Sequence, residues 1–279
     1  MAVDGFELAY DRSGSGAPVV LLHGWPGDRS DFRALVPRLR GCQVVAPDLR
    51  GFGESDKHHV DPTANYTAAA QARSVAGLIT DLGLGRPVVF GYDVGSRVAQ
   101  ALGRTRPELV RSLVITPPLP GVGTRVFSEH GLQEYWYQTF HRLPVIDELI
   151  DGRPDAVRAY LRHFWTHWSG PDFEIAESDL DHLVSVYGPP GAFTASLGPY
   201  RAGAGTAALA HEKPPAPADR IAVPATVLWP EFDPLYPRDW SDRLDEFFSD
   251  FRLRLVNGAG HFAPLEYPGI VAEEILAAV

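Results

Sequence analysis

The chain has 279 residues, 45% hydrophobic and 22% charged, which is enough apolar material for a sizeable core. Its formal net charge of -10 argues against a phosphate-backbone partner, because nucleic-acid binders need a basic footprint. The single cysteine, Cys42, rules out an internal disulfide. The opening MAVDGFELAY has neither the basic region nor the apolar core of a signal peptide, and no apolar run is long enough to span a bilayer. No membrane partner and a cytoplasmic setting are expected.

In chain order, GFELAYDRSG predicts an early strand, and APVVLLHG and CQVVAPDL predict two buried ones. Between them, Ser30 or Asp31 can cap a helix through DFRALVPRLR that Pro37 kinks or shortens. The segment NYTAAAQARSVAGLITDLGL has helical spacing and ends at Gly83 or Gly85. RPVVFGYD is a strand, VGSRVAQALGRTR a helix, and VRSLVITP another strand. Residues 120–210 then lose strand character and carry aromatic helical segments. Strand language returns in ATVLWPEFD and FRLRLVNG, and GIVAEEILAAV closes the chain as an amphipathic helix. Strands alternating with helices imply a doubly wound, mostly parallel α/β sheet. Residues 1–119 and 211–279 are expected to form the core and 120–210 an inserted helical cap over the C-terminal strand ends, where open α/β sheets hold ligands.

The segment FGYDVGS carries the chemistry. Glycine, nucleophile and glycine between a buried strand and a helix form a nucleophile elbow, with residue 93 lifted above the sheet at a helix N-terminus. An aspartate there attacks an electrophilic carbon directly and forms an ester. Taken alone, Asp93 is about equally well explained as a helix cap. Two strand-end segments shift the balance. WPEFDP places Asp233 after one strand and GAGHF places His261 after the next, in the order nucleophile, acid, histidine. In LLHGWPG the Trp25 N–H can join the Val94 N–H as an oxyanion hole, a tight turn favours a cis Trp25–Pro26 bond, and His23 is expected to fix the loop. No metal-ligand spacing is present, and Lys57, His58 and His59 suit a solvated loop. No cofactor is required.

Together HGWPG, DLRGFGESD, GYDVGS, Asp233 and GAGHF resemble the α/β-hydrolase superfamily over nearly the whole chain. The aspartate elbow is similar to that of its epoxide hydrolase and dehalogenase branches. The resemblance implies a small-molecule epoxide and water as partners, and it leaves a homodimer open. It places the cap motif EYWYQTF so that Tyr137 is one donor to the epoxide oxygen, with Tyr135 as the alternative, and SLGPYRAGA so that Tyr200 is the other. Tyr135, Trp136 and Phe140 are expected to wall the substrate pocket. The resemblance implies that Asp93 opens the epoxide to a diol by way of an alkyl ester. His261, oriented by Asp233, then activates the water that hydrolyses it. Dehalogenases of haloacids or haloalkanes share the aspartate and are the alternative. Fluoroacetate dehalogenases carry an arginine pair, of which Arg97 matches one member and Val94 replaces the other, so Arg97 is expected to make a structural ion pair or hydrogen bond. A non-catalytic hydrolase-fold binding protein is a third reading.

Overall fold

The apolar runs VVLL, VVA, VVF and LVI leave almost no side-chain surface in water, because they form the middle of one seven-stranded sheet. The computed structural model describes residues 2–203 and 206–279. Its strands are β1 (Tyr10–Gly14), β2 (Ala17–Leu22), β3 (Cys42–Pro47), β4 (Val88–Gly91), β5 (Ser112–Ile115), β6 (Ala225–Pro230) and β7 (Phe251–Val256). The spatial order is β1-β3-β2-β4-β5-β6-β7. Only β1 runs antiparallel to its neighbour, and it is the exposed edge, as its polar sequence YDRSG requires. The other pairings are parallel, so the loops after β2, β4, β5, β6 and β7 emerge on the same side of the sheet.

Two long helices follow the expected pattern. Ala68–Asp81 is capped by the Thr67 side chain, which accepts from the Ala70 N–H. Val94–Thr105 starts immediately at the elbow. The stretch after β2 differs from expectation. DFRALVPRLR forms two 3₁₀ turns, Arg29–Phe32 and Val36–Arg38, rather than one helix. Pro37 cannot donate its backbone nitrogen to a continuous helix. The cap is Asp28, whose carboxylate accepts from the Ser30 N–H, and Asp31 is buried.

Between β5 and β6 the chain is helical, including Trp136–Phe140, Pro154–His167, Glu177–Tyr187, Ala192–Ser196 and Gly198–Arg201. This insertion is tied to the loop after β2. The Trp165 indole donates to the Pro26 carbonyl at 3.1 Å, and the Tyr187 hydroxyl donates to the Gly27 carbonyl at 2.7 Å. The last residue of SLGPYRAGA, Ala204, lies outside the described residues. Among the described residues, no helix is long and apolar enough to cross a membrane.

The elbow is a steric construction. A Cβ on Gly91 would lie 2.4 Å from the Gly95 carbonyl oxygen, and one on Gly95 would lie 2.1 Å from that of Leu22. Both obstacles are backbone, which cannot swing aside. Gly95→Ala is therefore expected to cost at least ~3 kcal/mol. That is a fall of roughly 6–12 °C in Tm for a chain of this size, readable by thermal melt. An unchanged melt contradicts the packing described.

Candidate active site

Asp93 stands at the top of β4 with φ of 48°, a left-handed conformation that a side chain other than glycine rarely adopts. Its carboxylate makes no capping bond to the helix that follows, so the helix-cap explanation fails. The strained turn aims the side chain elsewhere. The Trp25 N–H donates to Oδ1 at 2.7 Å, and Oδ2 lies 3.3 Å from His261 Nε2. On the other side of the ring, His261 Nδ1 lies 2.9 Å from Asp233 Oδ2. The Leu235 N–H donates to Asp233 Oδ1 at 2.9 Å, which holds the acid in place. All three side chains are buried.

The imidazole thus lies between two carboxylates. Burial works against its charge, but the Asp233 charge and hydrogen bond, and then those of Asp93, raise its pKa to about 10. The resting ring is protonated at neutral pH, and both nitrogens donate.

The loop after β2, which carries Trp25, is held rigidly. The Trp25–Pro26 bond is cis. His23 is buried and fixes the loop as expected. Its Nδ1 lies 2.9 Å from the Gly24 carbonyl, and its Nε2 accepts the Leu49 N–H at 2.9 Å. Val94 supplies the first N–H of its helix, which has no acceptor within that helix.

Tyr137 and Tyr200 reach the same pocket from the insertion, with ring centroids 5.8 Å apart. The Tyr137 hydroxyl accepts from Gln138 Nε2 at 3.2 Å and keeps its own proton free. The Tyr200 hydroxyl is buried and has no hydrogen-bond partner among the described residues. Burial, and after it the Asp93 charge, pushes both phenols well above their usual pKa, so both are protonated donors. Tyr135 lines the pocket too, but its hydroxyl donates to the Leu235 carbonyl at 2.5 Å and its proton is committed. The cavity holds about 220 Å³.

Comparison with known proteins agrees with this architecture. Residues 17–268 match the family model described as alpha/beta hydrolase fold. The chain belongs to the α/β-hydrolase family. It is 27% identical to the soluble epoxide hydrolase of Corynebacterium sp. (strain C12), over 98% of this chain and 94% of that one. It is 30% identical to the AB hydrolase superfamily protein YfhM of Bacillus subtilis (strain 168), over 94% of this chain and 89% of that one. Among solved structures, that of the epoxide hydrolase CorEH without ligand superposes with a TM-score of 0.85 at 27% identity, covering 99% of this chain and 95% of that one.

In this α/β hydrolase two expected pocket walls stand elsewhere. Neither Trp136 nor Phe140 lines the cavity. Trp136 is 43% exposed and packs on Phe140, His163 and Phe164. The reason is helical geometry. Tyr137 points inward, so its neighbour Trp136 is rotated away, and Phe140 lies one turn beyond Trp136 on the same outer side. Arg97 also departs from expectation. It lines the cavity, and among the described residues its guanidinium has neither an ion pair nor a hydrogen bond. Burial disfavours its charge, yet Tyr236, Glu212 and Asp93 raise its pKa overall.

Two further residues meet at the site. Tyr236 lines the cavity, and its hydroxyl is buried there. The signal was its place three residues after Asp233, on the same strand-end loop. Trp168 packs edgewise on His261 at 5.1 Å and accepts the His261 N–H at 2.8 Å, through a fold-back of the insertion that no local motif marks.

Proposed function

We propose that this α/β hydrolase opens an epoxide to a vicinal diol through a covalent ester on Asp93. The reading rests on one observation above all. Two protonated phenols, one with no partner among the described residues, share a pocket with a carboxylate that is held by a single backbone N–H and a histidine. An epoxide needs an attacking carboxylate and donors for the alkoxide released. The epoxide hydrolases among the relatives support the same reading.

Asp93 Oδ1 is engaged by the Trp25 N–H, so Oδ2 attacks the ring carbon as the carbon–oxygen bond breaks. Tyr137 and Tyr200 donate to the developing alkoxide, and Tyr137 takes this part rather than Tyr135. Oδ1 becomes the ester carbonyl oxygen, already beside the N–H that later stabilises the oxyanion together with that of Val94. His261 then accepts a proton from water as the water attacks the ester carbon. Collapse of that adduct breaks the ester and frees the diol. The alkoxide takes up one proton and ester hydrolysis releases one, so the cycle is neutral.

Esterification removes the Asp93 charge and hydrogen bond that help to hold His261 at about 10. The ring's pKa is then expected to fall, which frees it to act as a base once the ester exists. Ester breakdown should therefore rise with pH along a limb centred below about 10, while ester formation should not follow that limb. Single-turnover rates measured across pH test this, and a limb at 10 or above contradicts the assignment.

A second reading, displacement of halide from a haloacid, is favoured by Arg97, which lines the cavity without an ion pair among the described residues and suits a substrate carboxylate. Assaying diol and halide release from a mixed panel of epoxides and haloacids decides between them. Diol release alone is expected. Halide release without diol overturns the epoxide reading, and neither product favours a non-catalytic binding protein.

A further inference from the structure

The helical turn Ala263–Glu266 follows His261 directly, and its last residue takes no part in the steps above. The partly buried carboxylate of Glu266 is met by three backbone donors. Oε2 accepts from Gly170 and Gly260, each at 2.8 Å, and Oε1 accepts from Phe262 at 2.9 Å. Gly260 and Phe262 are the two neighbours of His261 in the chain. Gly170 belongs to the helical insertion. The His261 N–H itself donates to the Trp168 carbonyl at 2.8 Å. Segments 168–170 and 260–262 are therefore joined directly by one hydrogen bond and bridged by one carboxylate that accepts three more. Hydrogen bonds to an ionised acceptor are about twice as strong as neutral ones.

Two glycines permit the approach. A Cβ on Gly260 would lie 2.2 Å from the Gly170 nitrogen, and one on Gly170 would lie 2.4 Å from the Gly258 carbonyl oxygen. The backbones touch, and no side chain intervenes to set the spacing. The Glu266 carboxylate bridges the two from one side by accepting from both glycine N–H groups. The result is a His261 ring lying against Trp168, with Asp233 on one nitrogen and Asp93 on the other.

We propose that Glu266 is a positioning residue that seats the His261 backbone against the Trp168–Gly170 segment and thereby serves the second half of the reaction. The inference rests on the ester mechanism. Alkylation depends on Asp93 and the two tyrosines, none of which has a hydrogen bond to Glu266. Ester hydrolysis depends on His261 standing within reach of water while keeping its bond to Asp233. A misplacement of about 1 Å in such a group can cost roughly 10²-fold.

The test is Glu266→Gln, which keeps the shape but offers one acceptor oxygen and turns an NH₂ group toward backbone donors. Single turnovers are run with an epoxide that the unaltered protein converts. Ester formation is expected to stay within about threefold, while ester breakdown slows by roughly 10–100-fold, so the adduct accumulates on Asp93 and is read by intact mass. Unchanged breakdown, or equal slowing of both steps, overturns the proposal. Gly170→Ala is the second variant, because its methyl group presses on Gly258 and on the Glu266 carboxylate. The same split is expected there even if the glutamine variant does not fold. His261→Gln protein run in parallel decides the mechanism itself. No adduct in that protein removes the ester reaction, whereas an adduct there with normal breakdown in Glu266→Gln removes only the positioning role.

Discussion

In His261→Gln protein, the ester on Asp93 is expected to form and then persist. Formation needs a carboxylate oriented by the Trp25 N–H, and that bond does not involve His261. Breakdown needs a base beside the ester, and no other buried imidazole lies within hydrogen-bond distance of Asp93 among the described residues. Loss of a general base typically costs about 10²–10⁴-fold. Steady-state diol formation should fall by that factor, while a first turnover still consumes epoxide. Intact-mass measurement should show the protein heavier by one epoxide, and peptide mapping should place the addition on Asp93. The resting contact between Nε2 and Oδ2 is 3.3 Å, so its removal frees the attacking oxygen and need not slow the first step. A converted epoxide that leaves no adduct in this variant rules out the ester mechanism. Asp93→Asn protein is the control and should show neither adduct nor turnover.

The second large effect is expected at the phenols. Tyr200→Phe removes a buried hydroxyl that meets no partner among the described residues, so it removes a donor without stranding an acceptor. Fold stability should change little, and ester formation should slow by roughly 10²–10³-fold, the usual cost of one oxyanion donor. Tyr137→Phe should act on the same step. It also deprives Gln138 Nε2 of the hydroxyl that accepts from it, so some loss of stability is expected in addition. Ester breakdown should be nearly unchanged in both variants, because the alkoxide has already been protonated. Pre-steady-state measurement separates the two steps. If alkylation is unaffected in Tyr200→Phe protein, Tyr200 is not a donor to the leaving oxygen. Tyr135→Phe is a useful contrast. Its hydroxyl serves the Leu235 carbonyl next to the loop that carries Asp233, so its loss should show mainly in stability.

Much of this was visible in one dimension because it is local. A buried parallel strand is a continuous apolar run, and such runs mark β2 to β6 whatever surrounds them. The elbow is legible locally as glycines at 91 and 95 around residue 93, and Gly91 is required by the Gly95 carbonyl four residues on. Asp233 and His261 follow strands directly, and parallel strands must end on one side of the sheet. Other features depend on partners distant in sequence. The sequence left Tyr135 and Tyr137 as alternatives, and the choice turns on a carbonyl 100 residues away from Tyr135. Trp136 and Phe140 looked like pocket walls by composition, but the rotation of one short helix turns them outward. Arg97 was expected to make an ion pair or hydrogen bond, and among the described residues its guanidinium makes neither.

The sequence by itself therefore determined the order of the sheet's candidate groups: an acid at 93, a second acid at 233 and a histidine at 261, each after a strand end. Their residue types and spacing follow from covalent geometry and strand sterics, which act over a few residues. Only the tertiary structure decided that Asp93 makes no helix cap, that Tyr137 keeps a free proton while Tyr135 does not, and that Glu266 ties the histidine loop to the insertion. Each of these depends on where a donor or acceptor from a remote segment comes to rest, and hydrogen-bond distance is set by packing rather than by sequence separation.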